Sequence, residues 1–466
     1  MSQGNENGDD DLHQDVLGQL PFLDGYTHVL CGFQTSQSTS RDEVVASLHA
    51  SVAELCAKIP WLGWRVTTTS GHGKMQAQPW PEIPGGRPYE MIRVKECDTI
   101  LASFSELWRA GIPMTMLDRH VLTPFPGLPE PHGLDPPPVA TIQVNFIRGG
   151  VMLNLSVHHS IMDAPGIMQF TKLLAATMEG RGLTEEDIRW GNMDRGRVVP
   201  LIPRGEPIKD HTHLRRPPGY VPRPPASACE WCYFKMPLAA FTRLKKLASA
   251  DKKKGEAGGN NRGPLISDDD LLSAFYWKRV TAVRLARGSP LFKPETVSMF
   301  SRAIDARQAM GVPFQYMGQL IYHSATHCTM EQIRAAPLTT LAAAMRRDLS
   351  AANNPWAIRS YATHVAREPD KSQLMYGGMR NFDTDLGGSS VNTPFEGPGS
   401  SEALSFGPLL GKLRFFRRPR MLPFPGCVYI VPPENGSILM LVCLAKEDLE
   451  GLRNDAEWKS YTRYIG

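Results

Sequence analysis

The chain has no long hydrophobic run. Its most apolar stretch, "SILMLVCLA" at 437–445, is far shorter than the roughly 20 residues of a membrane helix. It lacks a secretory leader as well. The opening "MSQGNENGDDDLHQ" is polar and acidic, without the basic flank and apolar centre of one. Charge of one sign is scarce. A formal net charge of +4 is too weak a field to recruit nucleic acid. Neither GxGxxG nor GxSxG occurs. "GPLLGKL" comes near a phosphate-cradling loop, but only three residues separate its glycines and no Ser or Thr follows Lys412. The eight cysteines are scattered, and without a leader they are expected as free thiols. Cys229 and Cys232 form "CEWC", but no second ligand pair lies nearby, so they read as strand residues rather than a zinc site. These absences leave a cytoplasmic protein, expected to be a monomer and to bind neither membrane nor nucleic acid.

What is present describes a globular chain. Its 466 residues are 42% hydrophobic and 21% charged, which suits two or three domains. Residues 1–15 read as a disordered tail. In 41–60, Val44, Val45, Leu48, Val52, Leu55 and Cys56 have helical spacing, stopped by Pro60. "ATIQVNFIR" and "VMLNLSVHH" flank Gly149-Gly150, a hairpin signal. Eight prolines in 199–227 predict an extended connector. Residues 250–263, "ADKKKGEAGGNNRG", read as a surface loop, and Ser267 caps the helix that follows. The end reads as two strands around a turn, then a helix. The expected organisation is a mixed α/β chain with a first domain at 16–197, a proline-rich crossover at 198–228 and a second domain at 229–466.

The chemistry-bearing stretch is "SVHHSIMDAPG" at 156–166. In the strand before it, Val151, Leu153, Leu155 and Val157 share one face, and His159 continues that face. A histidine pointing where the dry residues point is neutral at pH 7, because low dielectric disfavours imidazolium. Such a ring, oriented through its other nitrogen, can act as a general base. Asp163 suits a helix N-cap, Pro165 the first turn and Gly180 the end. Adjacent strand histidines face opposite ways, and His-x-x-x-Asp offers too few ligands for an ion, so no metal is expected. On these residues alone a purely structural pair, a buried histidine and a capping aspartate, stays open and leads.

The rest of the chain changes that balance. His159 and Asp163 fall on the HxxxD of the BAHD acyltransferases, which this sequence resembles, particularly in its fungal branch of trichothecene acetyltransferases. It resembles nonribosomal peptide synthetase condensation domains more distantly, and His158 gives the HH form common there. "LPFLDGY" is similar to the family's LSxLD, and "PWLGWRV" to its PxLAGR. "AIDARQAMGVPFQYMGQ" is similar to D-x-R…P…Y-x-G-N through Asp305, Arg307, Pro313, Tyr316 and Gly318, with Gln319 in place of Asn. "LSFGPLLGKLRFFRRPR" is similar to the DFGWG region through Phe406 and Gly407, with Ser405 where Asp is usual. "LGGSSV" corresponds to S-S-W through Ser389 and Ser390, with Val391 in place of Trp. The basic "KLRFFRRPR" reads as a solvated strand face.

The resemblance implies two chloramphenicol-acetyltransferase-like domains with mixed sheets and a central solvent channel. It implies an acyl-CoA-dependent O- or N-acyltransferase, acetylating a small natural product of fungal secondary metabolism. His159 would be the base, with no tightly bound cofactor, no metal, and acetyl-CoA or another acyl-CoA as co-substrate. Arg307 would orient Asp163, with Arg302 the second choice. Ser389, Ser390, Val391 and His158 would line the oxyanion and substrate pocket, and Gly318, Gln319 and Gly407 would belong to the cofactor side. Two other readings remain: a repurposed fold using His159 for an intramolecular cyclisation or isomerisation without coenzyme A, and a carrier-docking protein without turnover.

Overall fold

A computed structural model describes residues 14–36, 38–69, 73–82, 89–255, 265–390 and 404–466. Val391, expected at the pocket, lies outside the described residues, as do 1–13 of the expected tail. Among the described residues no helix is long and apolar enough to cross a membrane.

Two main sheets carry the fold. The first has five strands in the order Phe415–Arg417, Tyr26–Gln34, Gly150–His158, Ala140–Ile147, Ile92–Glu96. The second has seven, in the order Arg463–Tyr464, Cys229–Pro237, Ser437–Ala445, Cys427–Glu434, Leu386–Ser390, Val297–Asp305, Ile321–Thr329. Both mix directions. Leu386–Ser390 runs parallel to both its neighbours, and Ile92–Glu96 parallel to Ala140–Ile147, while the hairpin pairs are antiparallel. This is the mixed α/β architecture expected.

The predicted hairpin is Ala140–Ile147 with Gly150–His158, but its turn is Arg148-Gly149 rather than Gly149-Gly150. Gly149 has φ +74°, a conformation that favours glycine. Every residue of Gly150–His158 is buried, on both faces. The strand sits inside the sheet between two neighbours, the helices Arg41–Lys58 and Ala164–Met178 cover its apolar face, and Met152 on the other face packs with Phe104, Leu107 and Leu122. The helix Arg41–Lys58 starts from its Ser40 cap, as the periodicity predicts. The helix Asp268–Ala286 begins with a capping box between Ser267 and Asp270.

Three expectations change. Asp15, assigned to the tail, is buried and bound by Arg195, by the Tyr316 hydroxyl and by the Gln319 backbone N–H at 3.0 Å. The helix Leu238–Gly255 extends into the segment read as a loop from 250, and 256–264 lie outside the described residues. The basic run is not a solvated face either. Phe415–Arg417 joins the edge of the first sheet against Tyr26–Gln34, and Arg417 is buried against Glu434 at 2.6 Å. A Cβ at Gly32 would collide with the Phe415 ring, so this close strand approach requires glycine there.

A separate apolar cluster joins the early and late parts of the chain. Leu17, Leu20 and Leu23 pack with Val198, Val199 and Leu214 of the connector and with Ile304, Tyr322 and Tyr361. The connector is therefore packed along part of its length. Its backbone donates from Ile202 to Thr363 Oγ1 at 2.8 Å and from Arg216 to the Gln373 carbonyl at 2.7 Å. Irregular chain can be buried where such partners satisfy its amides.

Candidate active site

His159 is the first residue past the strand Gly150–His158, and its backbone N–H donates to the Gly25 carbonyl at 2.7 Å. Its Nδ1 lies 3.0 Å from the Met162 carbonyl oxygen. A carbonyl only accepts, so Nδ1 carries the proton and Nε2 presents its lone pair. Gln319 Nε2 donates to the His159 carbonyl at 2.8 Å and braces the turn from the second half of the chain. The ring keeps partial exposure on its cavity side and is otherwise enclosed. That enclosure lowers its pKa to about 4, with Arg418 and His158 adding to the effect and the Met162 carbonyl opposing it. The imidazole is neutral at pH 7.

Asp163 caps the helix Ala164–Met178 and accepts from the Gly166 N–H at 2.8 Å. It is fully buried. Arg307 donates to both its oxygens at 2.8 Å, Nη1 to Oδ2 and Nη2 to Oδ1, and the Leu320 N–H donates to Oδ2 at 2.8 Å. Arg307 also donates to the Tyr316 and Gly318 carbonyls and pairs with Asp305. Burial works against its charge, but Asp163 and Asp305 more than offset this and raise its pKa. This planar two-point pair ties the turn carrying His159 to the loop at 305–320. Arg302, the second choice, is engaged elsewhere, with Asp269 and with Asp270.

His158 lines no part of the cavity beside His159. It is fully buried, with Nδ1 2.8 Å from Ser160 Oγ and Nε2 3.3 Å from Asp24 Oδ1. Strand alternation sends the two rings opposite ways. Burial lowers its pKa, and Asp24 opposes this. Asp24, His132 and His158 bring ligand-type atoms within 4.8 Å of one another. The Leu134 N–H donates to His132 Nδ1 at 3.0 Å. A neutral His132 therefore carries its proton on Nε2, which faces Asp24 Oδ1 at 3.4 Å. That trio braces Gly25, the residue that holds the His159 amide.

The cavity at His159 has a volume of about 130 Å³. The second sheet forms much of its wall, through Ser301, Ala303, Ile321, His323, Ser389 and Tyr429. A second cavity of about 470 Å³ shares His323 and Gly377 with it and takes in Lys209, His213 and His327. Ser389 faces the first cavity. Ser390 lies one residue on, its hydroxyl buried without a partner among the described residues. Gly318, Gln319 and Gly407 line neither cavity. Gly318 packs against Tyr316 and Asp15, Gln319 holds the His159 turn, and Gly407 (φ +76°) packs on the Met178 carbonyl at the end of the helix Ala164–Met178.

Among the cavity residues that sequence reasoning missed, two carry charge, Arg380 and Arg418. Arg418 belongs to the run read as a solvated strand. Its pairing with a strand almost 400 positions away, Leu30 against Arg417, leaves no local signal. Arg380 stands in a segment without periodicity.

Residues 26–177 match the trichothecene 3-O-acetyltransferase-like N-terminal domain, and residues 128–459 match the Transferase family. The chain is 40% identical over 461 residues to the O-acetyltransferase SAT5 of Stachybotrys chartarum, covering 98% of this chain and 96% of that protein. It resembles the crystal structure of F. graminearum TRI101 complexed with coenzyme A and deoxynivalenol, with a TM-score of 0.86 and 27% identity, covering 98% of this chain and 99% of that one. The F. sporotrichioides TRI101 structure complexed with coenzyme A and T-2 gives a TM-score of 0.84 and 28% identity, at 98% and 99% coverage.

Proposed function

The chain belongs to the Transferase family, and from that premise we propose that His159 is the general base with which it moves an acyl group from coenzyme A to a small-molecule hydroxyl. It is an acyl-CoA-dependent O-acyltransferase of the kind its fungal relatives are. One observation carries the assignment of the base: Nε2 of His159 is left unprotonated at a cavity wall by the bond from Nδ1 to Met162.

The acceptor O–H gives its proton to His159 Nε2 as its oxygen attacks the thioester carbonyl. The C=O becomes a tetrahedral oxyanion, for which the Ser389 hydroxyl on the cavity wall is a candidate donor. Collapse breaks the C–S bond. The imidazolium then protonates the departing thiolate, which restores neutral His159 and releases coenzyme A as the thiol. A base of low pKa makes a strong conjugate acid, so the second transfer is downhill. Asp163 and Arg307 position this turn without touching substrate. The two cavities abut at His323 and Gly377, which gives the two substrates separate approaches. Both halves of the Asp163–Arg307 pair come from one chain, so this link needs no partner subunit.

Incubation with acetyl-CoA and a panel of alcohols, followed by thiol release and product mass, tests the reading. Acceptor-dependent thiol release with an acetyl ester is the expected result, and its absence with every alcohol would overturn it. The pH profile follows from the lowered pKa of His159. The base form dominates above about 4, so kcat/KM is expected to stay level from pH 8 down to 5.5. A histidine of ordinary pKa near 6.5 would lose about tenfold by pH 5.5. Initial rates across this range decide between them.

A further inference from the structure

Two permanently charged groups face the His159 cavity with no carboxylate beside them among the described residues. Arg380 and Arg418 both line it, and no Asp or Glu does. Nε and Nη2 of Arg380 and Nε of Arg418 are buried without a hydrogen-bond partner. Neither side chain has a carboxylate partner among the described residues. Both residues are half-buried, guanidinium cannot shed its proton, and a buried N–H without an acceptor is costly.

The two side chains are held rather than loose. Arg380 lies over the Phe424 ring at 5.3 Å and Arg418 over Tyr429 at 4.7 Å. Stacking occupies the guanidinium faces, Arg418 also hydrogen-bonds the Tyr429 hydroxyl, and Nε and Nη2 of Arg380 and Nε of Arg418 are left to donate. The Arg418 backbone N–H donates to Tyr233 Oη at 2.9 Å, which fixes its origin. Arg418 follows the strand attached to the first sheet, while Arg380 precedes the strand Leu386–Ser390 of the second. They reach the cavity from opposite halves, and both act electrostatically on the Cys427 thiol at its wall, against the upward push of burial.

We propose that Arg380 and Arg418 form an anion-recognition site in the acyl-transfer cavity, so that one of the two reacting substrates carries a carboxylate-like group beside its reacting atom. Donor edges in fork geometry match a carboxylate, and the substrate supplies the counter-charge that the described residues of the cavity omit. This rests on the acyl-transfer reading of the same cavity. The anion can belong to the acceptor or to the acyl chain, and the experiment separates them.

Wild type, R380Q, R418Q, the double variant, and R380K and R418K as charge-retaining controls are compared at pH 8, where His159 is neutral in all of them. Thermal melts establish that each is folded. The acceptor arm uses acetyl-CoA with 4-(hydroxymethyl)benzoate against its methyl ester. The acyl arm uses benzyl alcohol with malonyl-CoA against acetyl-CoA. In one arm the wild type should favour the anionic member about tenfold or more in kcat/KM, because a site built around a polar partner rejects the analogue lacking it. That ratio should collapse in the Gln variants and be partly kept in the Lys variants. No preference in either arm, or a preference the Gln variants retain, overturns the proposal. So does a rise in KM for acetyl-CoA with benzyl alcohol, which would assign the arginines to coenzyme A phosphates. If no pair releases thiol, the acyl-transfer reading fails on its own. Calorimetric titration with 4-(hydroxymethyl)benzoate and with malonate then decides anion binding, which either depends on the arginines or does not occur.

Discussion

Replacing His159 by alanine is expected to lower kcat about 10²–10⁴-fold with little change in the unfolding midpoint. The side chain makes a single hydrogen bond, to the Met162 carbonyl. The backbone contacts that hold the position, to Gly25 and from Gln319, do not need the ring. Asparagine at 159 can keep a donor toward Met162 but supplies no basic nitrogen, so it should be as slow as alanine. Steady-state thiol release and a urea melt of each variant check the pair of expectations. Near-wild-type turnover in either variant would end the general-base assignment.

The second large effect is on the turn itself. Asp163→Ala removes one of the two carboxylates on buried Arg307 and leaves it with Asp305 and the Tyr316 and Gly318 carbonyls. The expected loss is about 1.5–3 kcal/mol of stability, the range for hydrogen bonds to charged groups, because Asp305 still pairs the surviving guanidinium. Activity should fall with it, since the Asp163 cap and the Leu320 contact set where the histidine sits. A double variant, Asp163→Leu with Arg307→Met, separates the two roles. Removing both charges should recover much of the stability but not the turnover, because no planar link then joins the turn to the 305–320 loop. Urea unfolding and kcat on the singles and the double read this out. A double variant as active as wild type would show that the pair serves stability alone.

The contrast between these residues explains what could be read from the chain. His159 and Asp163 were legible because strand end, turn and helix cap are consecutive, so alternation and capping rules place them without knowledge of the rest. The mixed α/β class, the hairpin and the capped helices followed from periodicity in the same way. The Arg307 contact was reachable only through resemblance, since 144 residues separate it from Asp163. Asp15 was misassigned because its neighbours are polar and acidic, while its partner Arg195 lies 180 residues downstream. The run around Phe415 and Phe416 alternates like a surface strand and would be one, had it an edge of its own sheet to occupy. Composition and local period describe what a segment prefers, and they carry nothing about which distant segment meets it.

The strand Phe415–Arg417 makes the two halves inseparable in a practical sense. Cut after the proline-rich crossover, the early fragment would lose the chain that covers Tyr26–Gln34. A row of backbone donors and acceptors would open beside a glycine notch shaped for an absent phenyl ring, and bare strand borders of that kind recruit other chains. Recombinant dissection of this protein should therefore give aggregates rather than two tidy pieces, and any swap of halves with a relative must carry the late strand along with the early sheet.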